Sequence, residues 1–174
     1  GWQLFRQDAG LYVAYSLLMA VVATFPLVLP LLSGVFMAGY YNVGIRRLKN
    51  LPVTFSDFFI GWQHNFINLF LAGLVVSFLT TIGFFLLVIP GIYLFISYLF
   101  VIPLILQRKM AFWPAMETSR REAWPSFISL LGLQLLLFVI LVLGAIPAGL
   151  GLLVAVPLTM TANLAAYEDT FGLV

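Results

Sequence analysis

Three long stretches without a single Asp, Glu, Lys or Arg dominate this chain. Ala9–Ile45 runs 37 residues, Phe58–Gln107 runs 50 and Ala123–Tyr167 runs 45. A membrane-crossing helix needs about 20 predominantly apolar residues. Each stretch is therefore too long for one crossing and about right for two. Each also has a helix breaker near its middle: Pro26, Pro30 and Gly34, then "IPGI" at Ile89–Ile92, then "IPAG" at Ile146–Gly149. Proline removes a backbone donor and clashes with the preceding turn, which suits it to a bend between helices.

The expected fold is all-α, a polytopic integral membrane protein with six transmembrane helices arranged as three parallel helical hairpins with interfacial helices. The expected spans are 9–29, 31–49, 64–88, 91–108, 126–146 and 149–167. Composition excludes the soluble alternative, because apolar residues make up 63% of the chain, charged residues 8%, and mean hydropathy is +1.13. A soluble domain carries about 25% charged residues. The absence of cysteine excludes disulfide and thiol chemistry. The net charge of +2 rests on few groups and does not point to nucleic acid. The chain starts at Gly1 and shows no signal-peptide pattern.

The charges cluster between the runs: Arg6 and Asp8; Arg46, Arg47, Lys49 and Asp57; Arg108, Lys109, Glu117, Arg120, Arg121 and Glu122; Glu168 and Asp169. With six spans, every one of them falls on one side of the bilayer. Basic residues in short loops stay cytoplasmic, so both termini are expected there. Arg46, Arg47, Lys49, Arg108, Lys109, Arg120 and Arg121 are expected to set topology, and they are the candidates for contacts with lipid headgroups or an acidic partner.

The chain opens "GWQLFR", and "GWQHNF" begins at Gly61, with a looser echo "AWPSF" at Ala123. Residues 1–54 and 61–114 share ten identities without a gap, and Trp2 to Pro30 spans the same 28 positions as Trp62 to Pro90. The chain is expected to form a single membrane domain, 1–174, with candidate internal repeats at 1–60, 61–122 and 123–174, the alternative being that helical hairpins with interfacial tryptophans simply look alike. All three units enter from one side, unlike the inverted repeats of many secondary transporters. They are also unlike mitochondrial carriers, whose kink prolines are followed by charged residues; here the residues after Pro30, Pro90, Pro103, Pro147 and Pro157 are apolar.

Two segments are expected to lie in the headgroup layer. In "LPVTFSDFFIGWQHNF", Thr54 and Asp57 have capping-box spacing, and Phe55, Phe58, Phe59, Trp62 and Phe66 share a face. In "FWPAMETSRREAW", Glu117 and Arg121 are spaced to pair, and Trp113 and Trp124 mark the ends. The lone imidazole, His64, lacks the neighbours a metal site needs.

Within the spans the polar residues are Ser16, Thr24, Asn42, Ser77, Thr80, Thr81, Ser97, Gln134, Thr159 and Asn163. They are expected to bond neighbouring helices or their own backbone, or to form a polar path. Ionisable groups at depth, which proton relays and ion sites use, are missing apart from tyrosine, so neither catalysis nor a cofactor is expected. Gly151, Ala155, Thr159, Ala162 and Ala166 form a small-residue stripe suited to close helix packing, inside the fold or toward another subunit.

"PGIYLFISYLFVIPLIL", the basic pair after it, "AFWPAMETSRR" and the terminal "AAYEDTFG" resemble a widespread group of bacterial six-helix membrane proteins of unknown function. The chain is also similar to the membrane domain fused to some glycerophosphodiester phosphodiesterases. The resemblance implies the fold and a bacterial plasma-membrane location. It implies no activity, because the phosphodiesterase chemistry belongs to a separate soluble domain. Two functions remain open: a non-catalytic subunit that scaffolds a membrane complex with other membrane proteins and lipids, and a transporter or channel component for lipids or small apolar molecules.

Overall fold

The computed structural model describes residues 6–22, 24, 28–146 and 149–172. Trp2, Gln3, Pro26 and Pro147, which anchor the expected repeat and two of its bends, lie outside them. The described residues are helical, without strands. In chain order they form α1 (Ala9–Val22), α2 (Val28–Leu48), a 3-10 turn (Phe55–Phe59), α3 (Ile60–Gln63), α4 (Phe66–Leu86), α5 (Val88–Ser97), α6 (Val101–Arg108), α7 (Phe112–Ala123), α8 (Phe127–Ala145) and α9 (Leu152–Phe171). Three helical segments are long and apolar enough to cross a membrane: α4, α8, and Val88–Arg108 taken through the turn that divides α5 from α6.

α2 is the central helix. It packs on α4, α6, α9 and the 3-10 turn. At its crossing with α4, Gly34 faces Gly73; a Cβ on Gly34 would lie 2.9 Å from the Gly73 nitrogen and collide with the Leu69 carbonyl. Ser33 and Ser77 meet beside this contact, their hydroxyl oxygens 3.2 Å apart. α2 ends where Asn50 turns left-handed (φ 56°). The N–H groups of Asn50 and Leu51 then close back on the carbonyls of Arg47 and Arg46, so an Asn takes the place that glycine usually fills.

The aromatic 3-10 turn folds inward more than its sequence suggests. Thr54 N–H donates to Asp57 Oδ2 at 2.7 Å, the reciprocal half of the expected capping box. Phe58, however, is fully buried between α1 and α2. It stacks on Tyr15 with ring centroids 4.4 Å apart and meets Tyr12 edge-on at 5.5 Å. Asn42 Nδ2 donates to the Asp57 carbonyl and pins the turn to α2. Phe55 and Trp62 remain exposed.

Two breaks fall elsewhere than the prolines suggest. The chain bends at Leu87, which is extended (φ −159°), and Pro90 sits in the first turn of α5. A missing N–H costs nothing in a first turn, whose donors lack intrahelical partners anyway. The expected single helix over 91–108 opens between Ser97 and Val101. Pro103 has no N–H to offer the Leu99 carbonyl. The opened backbone is satisfied from α7: Ser119 Oγ accepts from Phe100 N–H at 3.2 Å and donates to the Ser97 carbonyl at 2.7 Å.

α7 is amphipathic, with Ala115, Met116, Ser119 and Ala123 buried against α4, α5 and α6. Glu117 pairs with Arg120, one residue short of the expected Arg121, at 2.8 Å; Arg121 pairs with Glu122. The i+3 pair wins because Arg121 points toward its own acidic neighbour. α8 packs chiefly on α9 and touches α5, leaving Ile128 and Phe138 exposed.

Substituting Gly73 by valine is expected to destabilise the protein by about 1–3 kcal/mol, since helices held at this distance cannot admit the added methyl groups without moving apart. Unfolding in mixed micelles of denaturing and mild detergent measures it.

Candidate functional site

A cleft of ≈ 1020 Å³ lies among the helices. α1, α2, α4, α8, α9 and the region around the α5–α6 turn line it. It sits at the mid-length of the most apolar helices, from Ala72 to Thr81 on α4 and from Gln134 to Leu141 on α8. Ligand pockets commonly measure about 300–1,000 Å³, so this one is at the top of that range.

Its lining is mostly apolar with a few hydrogen-bonding groups, the usual make-up of a ligand site. Gln134 Nε2 on α8 donates to Asn163 Oδ1 on α9 at 2.7 Å. The Tyr41 hydroxyl on α2 is a further hydrogen-bond partner of Asn163. The Ser33–Ser77 pair, Thr80 and Thr81 also line the cleft. Ser16 on α1 bonds the Tyr40 hydroxyl at 2.9 Å. Thr159 lines the cleft too, but its hydroxyl turns back to the Ala155 carbonyl at 2.8 Å. Thr80 Oγ1 is buried without a hydrogen-bond partner. The described lining residues include no Asp, Glu, Lys, Arg or His.

Of the polar residues picked out in the sequence, the fold gathers Ser16, Ser77, Thr80, Thr81, Gln134, Thr159 and Asn163 around this one space. Three stand apart. Thr24 bonds the Val21 carbonyl, Asn42 the Asp57 carbonyl, and the Ser97 carbonyl takes the Ser119 hydroxyl. Sequence reasoning missed Ser33, Tyr40 and Tyr41. Their signal was weak: Ser33 precedes a packing glycine, and the tyrosines sit in an apolar run.

The small-residue stripe of α9 divides between two tasks. Gly151 and Ala155 press on α8, and a Cβ on Gly144 would lie 3.1 Å from the Ala155 Cβ. Thr159 faces the cleft. Ala162 is half-buried, and Ala166 packs on the main core. This face thus serves packing within the chain.

The basic residues largely have partners within the chain. Arg47 holds the Asp8 carboxylate with two nitrogens. Arg46 donates to the Pro52 carbonyl at 2.9 Å and lies 3.5 Å from Asp57. Arg108 donates to the Phe171 carbonyl at 3.0 Å and lies over that residue's ring, closing the end of α9. Lys109 is exposed in a left-handed conformation (φ 50°), and Lys49 also interacts within the chain. Arg120 and Arg121 border a small surface recess with Tyr93, Glu117 and Trp124. There the bond to Glu117, and after it one to Tyr93, raises the pKa of the Arg120 guanidinium. His64 ends α3 and is exposed. Among the described residues no three His, Asp or Glu converge as metal ligands would.

No family model, curated protein or solved structure matches the chain.

A double-mutant cycle on Gln134→Leu and Asn163→Leu is expected to return a coupling of about 0.6 kcal/mol, the usual size of a hydrogen bond between membrane helices. A coupling of zero, read from detergent unfolding, would mean that the two helices are not latched there.

Proposed function

We propose that this chain is a membrane-embedded binding component for the transport of lipids or small apolar molecules, with the cleft as its binding space. The observation that carries this reading is a large, mostly apolar cleft at mid-helix depth, lined by hydrogen-bonding groups from five separate helices. Close packing alone gives no reason for such a space, since interiors ordinarily hold few voids larger than a water. The absence of acids and bases from its described lining accords with binding rather than proton-coupled or ion-coupled work.

The setting proposed for it is six spans in three hairpins in a bacterial plasma membrane, both termini cytoplasmic. Supporting this, charged residues from distant parts of the chain gather: Arg47 meets Asp8, and Arg108 meets the end of α9. In a cysteine derivative at Lys49 or Thr118, an impermeant thiol reagent is expected to label only after the cells are opened. Labelling from outside intact cells would reverse the orientation.

A scaffold role is the second reading, favoured by the exposed apolar surface of α8, which a partner subunit could cover as well as lipid. Native mass spectrometry of the gently purified protein separates the two. The expected result is a retained small amphiphile, lost when Val76→Trp or Leu141→Trp fills the cleft. Stoichiometric protein subunits, retained equally by those variants, would favour the scaffold.

A further inference from the structure

We infer that the molecule held in the cleft is an uncharged amphiphile, with a polar end of the hydroxyl or ester kind and one or more hydrocarbon chains. This rests on the binding role just proposed and adds the chemistry of its ligand.

Charge complementarity sets the class of ligand. A phosphate, carboxylate or ammonium group brought to the middle of these helices would lose its hydration, and the described lining offers no opposite charge. An unpaired charge at such depth is costly. The same chain has basic groups to spare for anions, yet it keeps them at helix ends and binds them to Asp8, Glu117, Glu122 and backbone carbonyls. The cleft therefore discriminates against ionic headgroups by having nothing to meet them.

Its polar groups suit a neutral one. Thr80, one of the lining residues, has a buried hydroxyl that lacks a protein partner. Gln134 uses its amide nitrogen on Asn163, and a carboxamide also carries an acceptor oxygen. On α9, Pro157 withholds the N–H that the Leu153 carbonyl would normally accept, and Leu153 lines the same cleft. The lining thus carries both donors and acceptors, as a hydroxyl or ester needs. The apolar remainder, with a volume of ≈ 1020 Å³, accommodates hydrocarbon rather than a bare polar solute.

The test uses the full chain in phosphatidylcholine nanodiscs and a dioleoylglycerol probe carrying a diazirine in one acyl chain. Photolabel is expected on cleft-facing peptides of α4, α8 and α9, and to vanish in Val76→Trp. Unlabelled dioleoylglycerol is expected to compete about tenfold better than dioleoylphosphatidic acid, which differs by the phosphate alone. Thr80→Val and Gln134→Leu are each expected to reduce labelling about fivefold, the worth of one neutral hydrogen bond. Phosphatidic acid competing as well as or better than the diacylglycerol, with labelling still lost in Val76→Trp, overturns the neutral-ligand inference while sparing the binding role. Unchanged labelling in both Thr80→Val and Gln134→Leu overturns it as well. Labelling indifferent to Val76→Trp overturns both.

Discussion

The contact between Gly34 and Gly73 is the point from which the other helix positions follow. Two apolar helices in a membrane gain little by hiding from lipid, which is as apolar as they are; close van der Waals packing has to hold them. With no side chain on either glycine, α2 and α4 approach until backbone meets backbone. α2 repeats the device at Gly39, against the Phe58 carbonyl, and at Gly44, against Leu164 of α9. Spaced five residues apart, the three glycines face three different partners. One helix thereby sets the positions of α4, the aromatic turn and α9.

The cleft is the complement of that tightness. α8 has no glycine contact with α2 or α4; its own close contact is to α9, at Gly144 and Gly151. Away from that contact α8 and α9 are joined by the Gln134–Asn163 bond, and the space between α8 and the α2–α4 pair stays open. The Ser16–Tyr40, Ser33–Ser77 and Gln134–Asn163 bonds cross helix interfaces at its walls. The charged residues keep to the helix ends, where they tie the chain to itself.

Run length and charge placement made the helices legible, because lipid forbids an unpaired charge at depth and a crossing has a fixed minimum length. α4 and α8 fall within a few residues of their expected bounds. The breaks were less legible. Pro90 looks the same in sequence whether it sits in a bend or in a first turn, and only the close approach of Gly83 and Gly91 puts the bend at Leu87. The opening before Pro103 depends on Ser119, a residue far along the chain whose hydroxyl no local pattern assigns to Phe100. Seven polar members of the cleft were visible as buried polar residues, but not as members of one site. A helix that is apolar all round carries no stripe to say which side faces inward, so the convergence of Ser77, Thr80, Gln134 and Asn163 appears only once the helices are placed.

The pairing of α1 has a bearing on how the protein is made. α1 touches α2, its neighbour in sequence, less than it touches α9. Chains emerge from the ribosome N-terminus first and helices pack as partners become present. α1 is therefore made before α9, and until α9 follows its contacts are to α2 and the aromatic turn, through the Ser16 hydroxyl and the rings of Tyr12 and Tyr15. α9 does more than pack on α8. It also contacts α1 and α2, so the cleft is complete only once α9 has been made.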